Sequence, residues 1–369
     1  MSILIFLIIL LVLVLVHEFG HFFTAKKFGI RVDEFGFGFP PKLAGKKFGE
    51  TEYSLNLLPI GGFVKIFGEN PDEENTNGPD AARSFVHKAK WKQAIVLFAG
   101  IFANFLLAWL LFSIGFMSGF PTAVGSEAKG SALKDVNLVI LSVKPNSPAA
   151  IAGLKSGDKI VSAMHMEDSG EMHMAEEINP ESLRAFVIEH DEAEIEIGYL
   201  RGQSKEVNIA KVTPHAENGV PAIGISMDEI GIAKMPVLSS FVEGLKLTLH
   251  VTKGTLLGLF GLIKDSIKGQ GSLASVTGPV GMVAIVGDAY QFGFVYLLSF
   301  AALISVNLAI INLVPFPALD GGRLFFLLIE KIKGSRIRPR IANTANAVGF
   351  GILILLMVVV TYHDIIKLF

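Results

Sequence analysis

An apolar run that carries three ionisable side chains narrows what this chain can become more than any other feature. Ser2 to Val16 contains no charged residue, and the run continues as His17-Glu18-Phe19-Gly20-His21-Phe22-Phe23. A stretch of roughly 20 apolar residues is long enough to cross a bilayer as a helix. Ionisable side chains are costly inside such a span and mark function by default. On a helix, positions i and i+4 share a face, so both imidazoles can reach one cation while Glu18 sits beside it as a base. At about 1.5 Å per residue the motif lies roughly 22–28 Å along the helix, near one edge of the hydrocarbon. The plainer alternative is a pair of histidines packed by neighbouring helices.

Composition agrees with a membrane protein. Hydrophobic residues make up 51% of the 369, more than water-soluble chains usually carry. The net charge of −2 gives no electrostatic footprint for nucleic acid. With no cysteine, thiolate metal sites, disulfides and cysteine nucleophiles are excluded, so a metal must use histidines or carboxylates. Further spans are expected from Ala94 to about Phe116, Phe292 to Val314, and Ala345 to Tyr362. A cleaved signal peptide is the alternative for the first run, but no basic n-region or small-residue cleavage site accompanies it. Lys26, Lys27 and Arg31 follow span one, and Lys88, Lys90 and Lys92 precede span two. Arg323, Lys331, Lys333, Arg336, Arg338 and Arg340 lie between spans three and four. The positive-inside rule puts both groups in the cytoplasm, with the termini and the long 117–291 segment outside.

Two histidines do not complete a catalytic zinc site, which normally has three protein ligands and an open position. The third should lie at similar depth on another span. Asp320 is the best candidate, in Asn312-Leu-Val-Pro315-Phe-Pro317-Ala-Leu-Asp320-Gly321-Gly322. The prolines end the helix and the glycines permit a tight turn, so the carboxylate can be aimed back into the bundle. A solvated aspartate in a helix-ending turn is the bland alternative, and Glu34 or Glu52 would be next in line as ligand.

With these paired motifs the sequence resembles the site-2 protease family, specifically its bacterial RseP-like members, over nearly its whole length. The resemblance implies one zinc ion held by His17, His21 and Asp320, with Glu18 activating the water. It also implies that Asn312 contacts the substrate backbone or orients the reacting carbonyl. Leu58-Pro59-Ile60-Gly61-Gly62-Phe63-Val64-Lys65 resembles the family's membrane-dipping β-loop, whose edge can pair with an extended substrate. Gly61, Gly62, Phe63 and Val64 are therefore candidate substrate-binding residues; an ordinary hairpin is the alternative. Gly100-Ile-Phe-Ala-Asn104 resembles a G-x-x-x-N element beside the active site, which makes Asn104 a candidate too, although its spacing also suits helix packing. Thr277-Gly278-Pro279-Val280-Gly281 resembles a segment before span three and reads physically only as a tight turn.

The stretch from Val139 through Pro145, Pro148, Gly153, Gly157 and Asp158 resembles a bacterial PDZ domain in one copy. Its closing strands are expected at Glu194–Tyr199 and Glu206–Val212, and His165–Glu177 reads as a polar insertion. No Gly-Leu-Gly-Phe-type carboxylate loop is visible, which favours a steric filter against bulky ectodomains over peptide docking. Pro236 to Lys268 is amphipathic, with lysines at 246, 253, 264 and 268, and suits a helix on the outer membrane surface. The expected fold is an α-helical membrane protein with four transmembrane helices, a membrane-associated β-loop and an extracytoplasmic α+β PDZ domain. Residues 1–116 form the first half of the protease core, 117–135 a linker and 136–214 the PDZ domain. Residues 215–291 carry the surface helix, and 292–369 form the second half. The implied activity is intramembrane cleavage, in a bacterial inner membrane, of single-span proteins shortened by a site-1 protease. Anti-sigma factors and signal-peptide remnants are of this kind. A membrane zincin of another family and a PDZ adaptor with a vestigial metal site are the competing readings.

Overall fold

The computed structural model describes residues 1–70, 77–125, 133–167, 170–217, 219–269 and 277–366. The polar, acidic stretch from Asn70 to Asp80, which its composition marks as a cytoplasmic loop, lies largely outside them. The chain divides into two units. One comprises Met1–Phe112, Gly244–Gly287 and Leu298–Phe369; the other comprises Ser113–Glu243 and Asp288–Leu297.

Among the described residues, four helices are long and apolar enough to cross a membrane: Ser2–Lys27 (α1), Lys90–Ser118 (α2), Phe294–Leu313 (α7) and Pro339–Ile366 (α9). They occupy the four stretches in which spans were expected. α1 is almost all Leu, Ile, Val and Phe up to His17, a composition that is helical where no water competes for the backbone. Lys26 and Lys27 close its last turn, where cations complement the helix dipole. Beyond α1 the chain turns through Gly29 at φ +64° into the strands β1 (Val32–Phe48) and β2 (Thr51–Ile66). Ala25, Ile30, Val32, Ile66, Phe85, Val96 and Leu97 pack into a small buried core that ties the base of this hairpin to α1 and α2.

The hairpin is more than a two-ribbon ladder. Glu34 to Phe37 pair on one side with Glu52 to Leu55 and on the other with Gly62 to Lys65, while Lys42 to Phe48 pair with Thr51 to Asn56. The result is four antiparallel ribbons in the order 42–48, 51–56, 34–37 and 62–65. The expected β-loop from Leu58 to Lys65 thus lies within a bulged strand, and its Gly62–Lys65 end forms an edge of this sheet.

Val237–Ile267 (α5) is one continuous helix over the expected amphipathic stretch and is not among the span-length apolar helices. Thr255 on it donates to the Asn307 side chain of α7 at 3.2 Å. Pro279–Phe292 (α6) precedes α7, and Asp320–Lys333 (α8) follows it.

The second unit is built on a sheet in the order β3-β11-β4-β5-β7-β8, with β6 paired to β5. The strands are Phe120–Ala123 (β3), Leu133–Val143 (β4), Lys159–Met166 (β5), Met172–Met174 (β6), Ile195–Leu200 (β7), Asn208–Val212 (β8) and Ile225–Ala233 (β11). His215–Glu217 (β9) and Val220–Ala222 (β10) make a separate small hairpin. The short helix Pro148–Ile151 (α3) starts on Ser147, whose hydroxyl accepts from Ala150 N, and Pro180–Glu189 (α4) is capped in the same way by Asn179. Leu138, Ile140, Leu183, Phe186, Ile195 and Ile197 are among the side chains of its core. Asp158 is fully buried beside them, with its two oxygens held by Arg201 at 2.7 Å each and by Lys155 N at 2.8 Å. The bonds from Asp158 hold the Arg201 guanidinium above its ordinary pKa, against the opposing effect of burial.

Candidate metal centre

His17 and His21 stand one helical turn apart on α1 and are both buried. Their Nε2 atoms are 3.1 Å apart. Asp320, distant in sequence, brings Oδ2 to 2.9 Å from His17 Nε2 and 3.2 Å from His21 Nε2. A tetrahedral zinc with ligands at 2.0–2.1 Å keeps them about 3.3 Å apart, close to this triangle. The donor chemistry fits as well. His21 Nδ1 lies 2.8 Å from the Val96 carbonyl, to which only an N–H can donate, so its Nε2 carries the lone pair. Burial opposes ionisation of Asp320, yet its contacts with His17 and His21 hold the carboxyl below the usual carboxylate range.

Close helix packing makes room for these rings. A side chain at Gly20 would strike the Ala99 carbonyl of α2, and one at Gly100 would strike His21 Nε2 and lie 2.9 Å from His17 Cε1. Gly100 therefore leaves the space in which the imidazoles sit. One turn further on, Asn104 is fully buried with Nδ2 placed 3.3 Å from His17 Nδ1. Its backbone carbonyl accepts from Ser305 Oγ of α7 at 2.8 Å. The candidate element on α2 thus both packs and touches the centre.

Asp320 is aimed by the turn before α8. Ala318 takes a left-handed φ of +76°, with its N–H donated to Asn346 Oδ1 at 3.2 Å. Side chains at Gly321 and Gly322 would run into the carbonyls of Leu313, Val314 and Phe316, so the turn can only be this tight with glycine there. Arg323 follows on α8 and pairs with Glu69.

Glu18 is half-buried beside the triangle, and the Val64 backbone N–H donates to its carboxylate. This bond sets the sheet edge from Gly62 to Lys65 against the centre. At Gly62 a side chain would lie 2.9 Å from both Leu15 of α1 and the Gly36 carbonyl, so glycine permits the approach. Gly61 is likewise buried, close to Val14, whereas Phe63 is half-buried and stands over Gly36. Asn312 lies in the last turn of α7, half-buried, and its side chain makes no hydrogen bond among the described residues.

The Thr277–Gly281 segment has a physical role that its sequence did not disclose. Asp364, buried near the end of α9, accepts from Gly278 N at 3.1 Å and Gly281 N at 2.8 Å. It supplies acceptors to the free N–H groups at the start of α6, as a capping carboxylate does. A side chain at Gly278 would meet Val360 and Asp364 at 2.7 and 2.8 Å, which explains the glycine. No spacing rule links residues 278 and 364, so only the fold reveals the pair.

Two imidazoles and a carboxylate around one point, with a further carboxylate alongside, are the side chains of a metal-dependent hydrolase. The chain matches the model of peptidase family M50 over residues 5–356. A Clostridium perfringens protein is 37% identical over 357 residues, covering 96% of this chain and 95% of its own. The zinc metalloprotease RasP of Oceanobacillus iheyensis is 30% identical across 99% of this chain and 98% of its own. The regulator of sigma-W protease RasP of Bacillus subtilis is 31% identical, with the same two shares covered. The chain belongs to peptidase family M50, the site-2 protease family, and is a metalloprotease.

Proposed function

We propose that this chain is a zinc-dependent intramembrane endopeptidase that cleaves single-span membrane proteins at the cytoplasmic side of a bacterial inner membrane. The observation that carries this is the triangle of His17, His21 and Asp320 on or beside span-length apolar helices, with Glu18 next to it. The RasP relative of Bacillus subtilis is named as a regulator of sigma-W, which favours anti-sigma factors as substrates, with signal-peptide remnants as a second group.

His17, His21 and Asp320 would hold one zinc ion, which when bound acidifies a water and polarises the scissile carbonyl. Glu18, oriented by Val64 N–H, would act as the base that takes a proton from the attacking water and the acid that returns it to the leaving amine. Peptide bonds in a helix are shielded by their own hydrogen bonds, so the substrate must be extended at the point of cleavage. The Gly62–Lys65 edge offers backbone pairing to such a segment directly beside Glu18. Asn312, at the end of α7, is the residue proposed to orient the substrate backbone.

We read the second unit, outside the membrane, as a PDZ domain. A groove of about 540 Å³ runs between α4 and the β10–β11 strands, lined by Leu183, Val187, Ile223, Ile225 and Met227 among others. The Ile225–Asp228 end of β11 pairs with β4 on one side only, which leaves an edge for an extended peptide. This favours docking over pure steric exclusion. Both uses call for substrates already shortened on the outer face.

The test is Glu18→Gln in reconstituted membranes with a single-span substrate. Zinc content should stay near that of the parent while cleavage falls about 10²–10⁴-fold. Loss of zinc along with activity would make Glu18 a ligand and overturn the assignment. Deleting residues 136–214 should leave zinc bound and slow cleavage of the substrates that dock there; unslowed cleavage with lost discrimination between short-tailed and folded-ectodomain substrates would make the domain a steric filter instead.

A further inference from the structure

The two imidazoles of the centre differ in what holds their far nitrogens. His21 donates Nδ1–H to the Val96 carbonyl, a group that can only accept. His17 has Nδ1 beside Asn104, with Nδ2 of that amide placed toward it at 3.3 Å. In that orientation the amide donates, so Nδ1 bears the lone pair and the proton sits on Nε2. Nε2, however, is the atom that faces Asp320 and His21. A protonated Nε2 cannot ligate a metal.

The nitrogen and oxygen of an amide have nearly the same shape, and which way the group points is inferred from its bonds. Asn104 Oδ1 is fully buried and has no hydrogen-bond partner among the described residues. Turning the amide by half a revolution brings this oxygen to His17 Nδ1, where it accepts a proton. The nitrogen then occupies the unpartnered place, so the number of unpartnered amide atoms is unchanged. What is gained is the His17 tautomer with its lone pair on Nε2.

We propose that Asn104 is the positioning residue of His17: its Oδ1 accepts the Nδ1–H and fixes the tautomer that presents Nε2 to the metal. The inference rests on the metal-site reading above. It gives the glycine and the asparagine of Gly100-Ile-Phe-Ala-Asn104 complementary tasks. Gly100 makes room for both rings, and Asn104 sets the protonation of one of them. Because the Asn104 backbone is held by Ser305, its side chain is delivered to His17 from a fixed point.

The experiment is zinc affinity of the full chain in detergent, measured by chelator competition, for Asn104→Asp, Asn104→Leu and His21→Ala. Aspartate keeps an acceptor and has no donor, whereas leucine keeps most of the volume and has neither. Asn104→Leu should weaken zinc about 10–100-fold, the usual cost of removing such an outer partner, and Asn104→Asp should stay within a few-fold of the parent. Equal losses in both variants would mean that the amide donates or only packs, and would overturn the proposal. So would an unchanged affinity in Asn104→Leu while His21→Ala loses zinc. If His21→Ala binds as tightly as the parent, the metal-site reading falls and this inference falls with it. Thermal unfolding of the zinc-free proteins guards against misfolding. If Asn104→Leu does not fold, Asn104→Ala replaces it, and the contrast with aspartate is read in the same way.

Discussion

Half-buried Asp320 and fully buried Asp158, one in each unit, are carboxylates satisfied in opposite ways. Asp158 is surrounded by donors: the Arg201 fork and the Lys155 N–H cover both oxygens. It is a closed ion pair with nothing left to bind. Asp320 instead meets two imidazole nitrogens, and one of these rings has already committed its N–H to Val96. As placed, His17 Nε2 lies within hydrogen-bond distance of Asp320 Oδ2, and the same three atoms are spaced as the ligands of one metal ion would be. The contrast lies in what the neighbours can bring: Asp158 meets only donors, whereas Asp320 meets imidazole nitrogens able to offer lone pairs, which is why it is the proposed ligand. Asp364 falls with Asp158, since its partners are backbone N–H groups.

The largest effect should come from removing the lone-pair side of this contrast. Asp320→Ala should lower zinc affinity by more than the roughly 10–100-fold typical of losing an outer partner, and cleavage should vanish with it. Gly100→Ala should mimic it without replacing a proposed ligand, because the new methyl group collides with His21 Nε2. Metal analysis and a competition titration would check both. Normal zinc binding by Asp320→Ala would erase the distinction from Asp158 and move the search for a ligand to Glu34 or Glu52.

Next in size is the donor side. Arg201→Met should leave Asp158 buried without its main partner and destabilise the second unit by about 3 kcal/mol. The zinc content should not change, since no residue of the triangle lies in that unit. Differential scanning of the parent and the variant, with zinc measured alongside, would show this. Zinc lost with the Arg201 pair would mean that the two carboxylates are not energetically separate.

Much of the centre was legible in the sequence because its signals are local. His17, Glu18 and His21 declare themselves by spacing within an apolar run, and Asp320 by its place after two prolines and before two glycines. Their meeting was foreseen from depth alone. What escaped depends on partners without a side-chain signature. The Val96 carbonyl that orients His21 is backbone, and so is the Val64 N–H on Glu18. Asp364 is a lone acid in a tail helix whose partner lies some eighty residues away, and a turn was all that Thr277–Gly281 suggested. The β-loop was legible only through the family resemblance. Glycines and a proline between Leu58 and Lys65 look irregular, yet bulges let the strand continue and pair with Glu34–Phe37. The groove beside α4 needed the spatial pairing of that helix with β10 and β11, which no short motif reports.

The smallest effect belongs to a third kind of carboxylate, one left partly open to water. Glu50 sits at the turn between β1 and β2 and accepts from Lys26 Nζ at 2.6 Å and Arg83 Nη2 at 2.5 Å. Lys26 ends α1, so the pair tethers the far end of the hairpin to the helix that carries His17 and His21. The bond from Lys26, helped by Arg83, holds the Glu50 carboxyl below its ordinary range although burial pulls the other way. A folded pKa below the unfolded value, about 4.3, stabilises the fold above that pH. The contribution fades as pH falls through the folded value. Water already solvates part of this group, so Glu50→Gln should cost only about 0.2–1 kcal/mol near neutrality. The cost should shrink in high salt and disappear in strong acid, where the parent carboxyl is protonated as well. Unfolding midpoints of parent and variant across pH 3 to 7, at low and high salt (roughly 0.05 and 1 M), would measure it. A difference unaffected by either would place Glu50 with Asp158, as a packed structural group and not a screened surface charge.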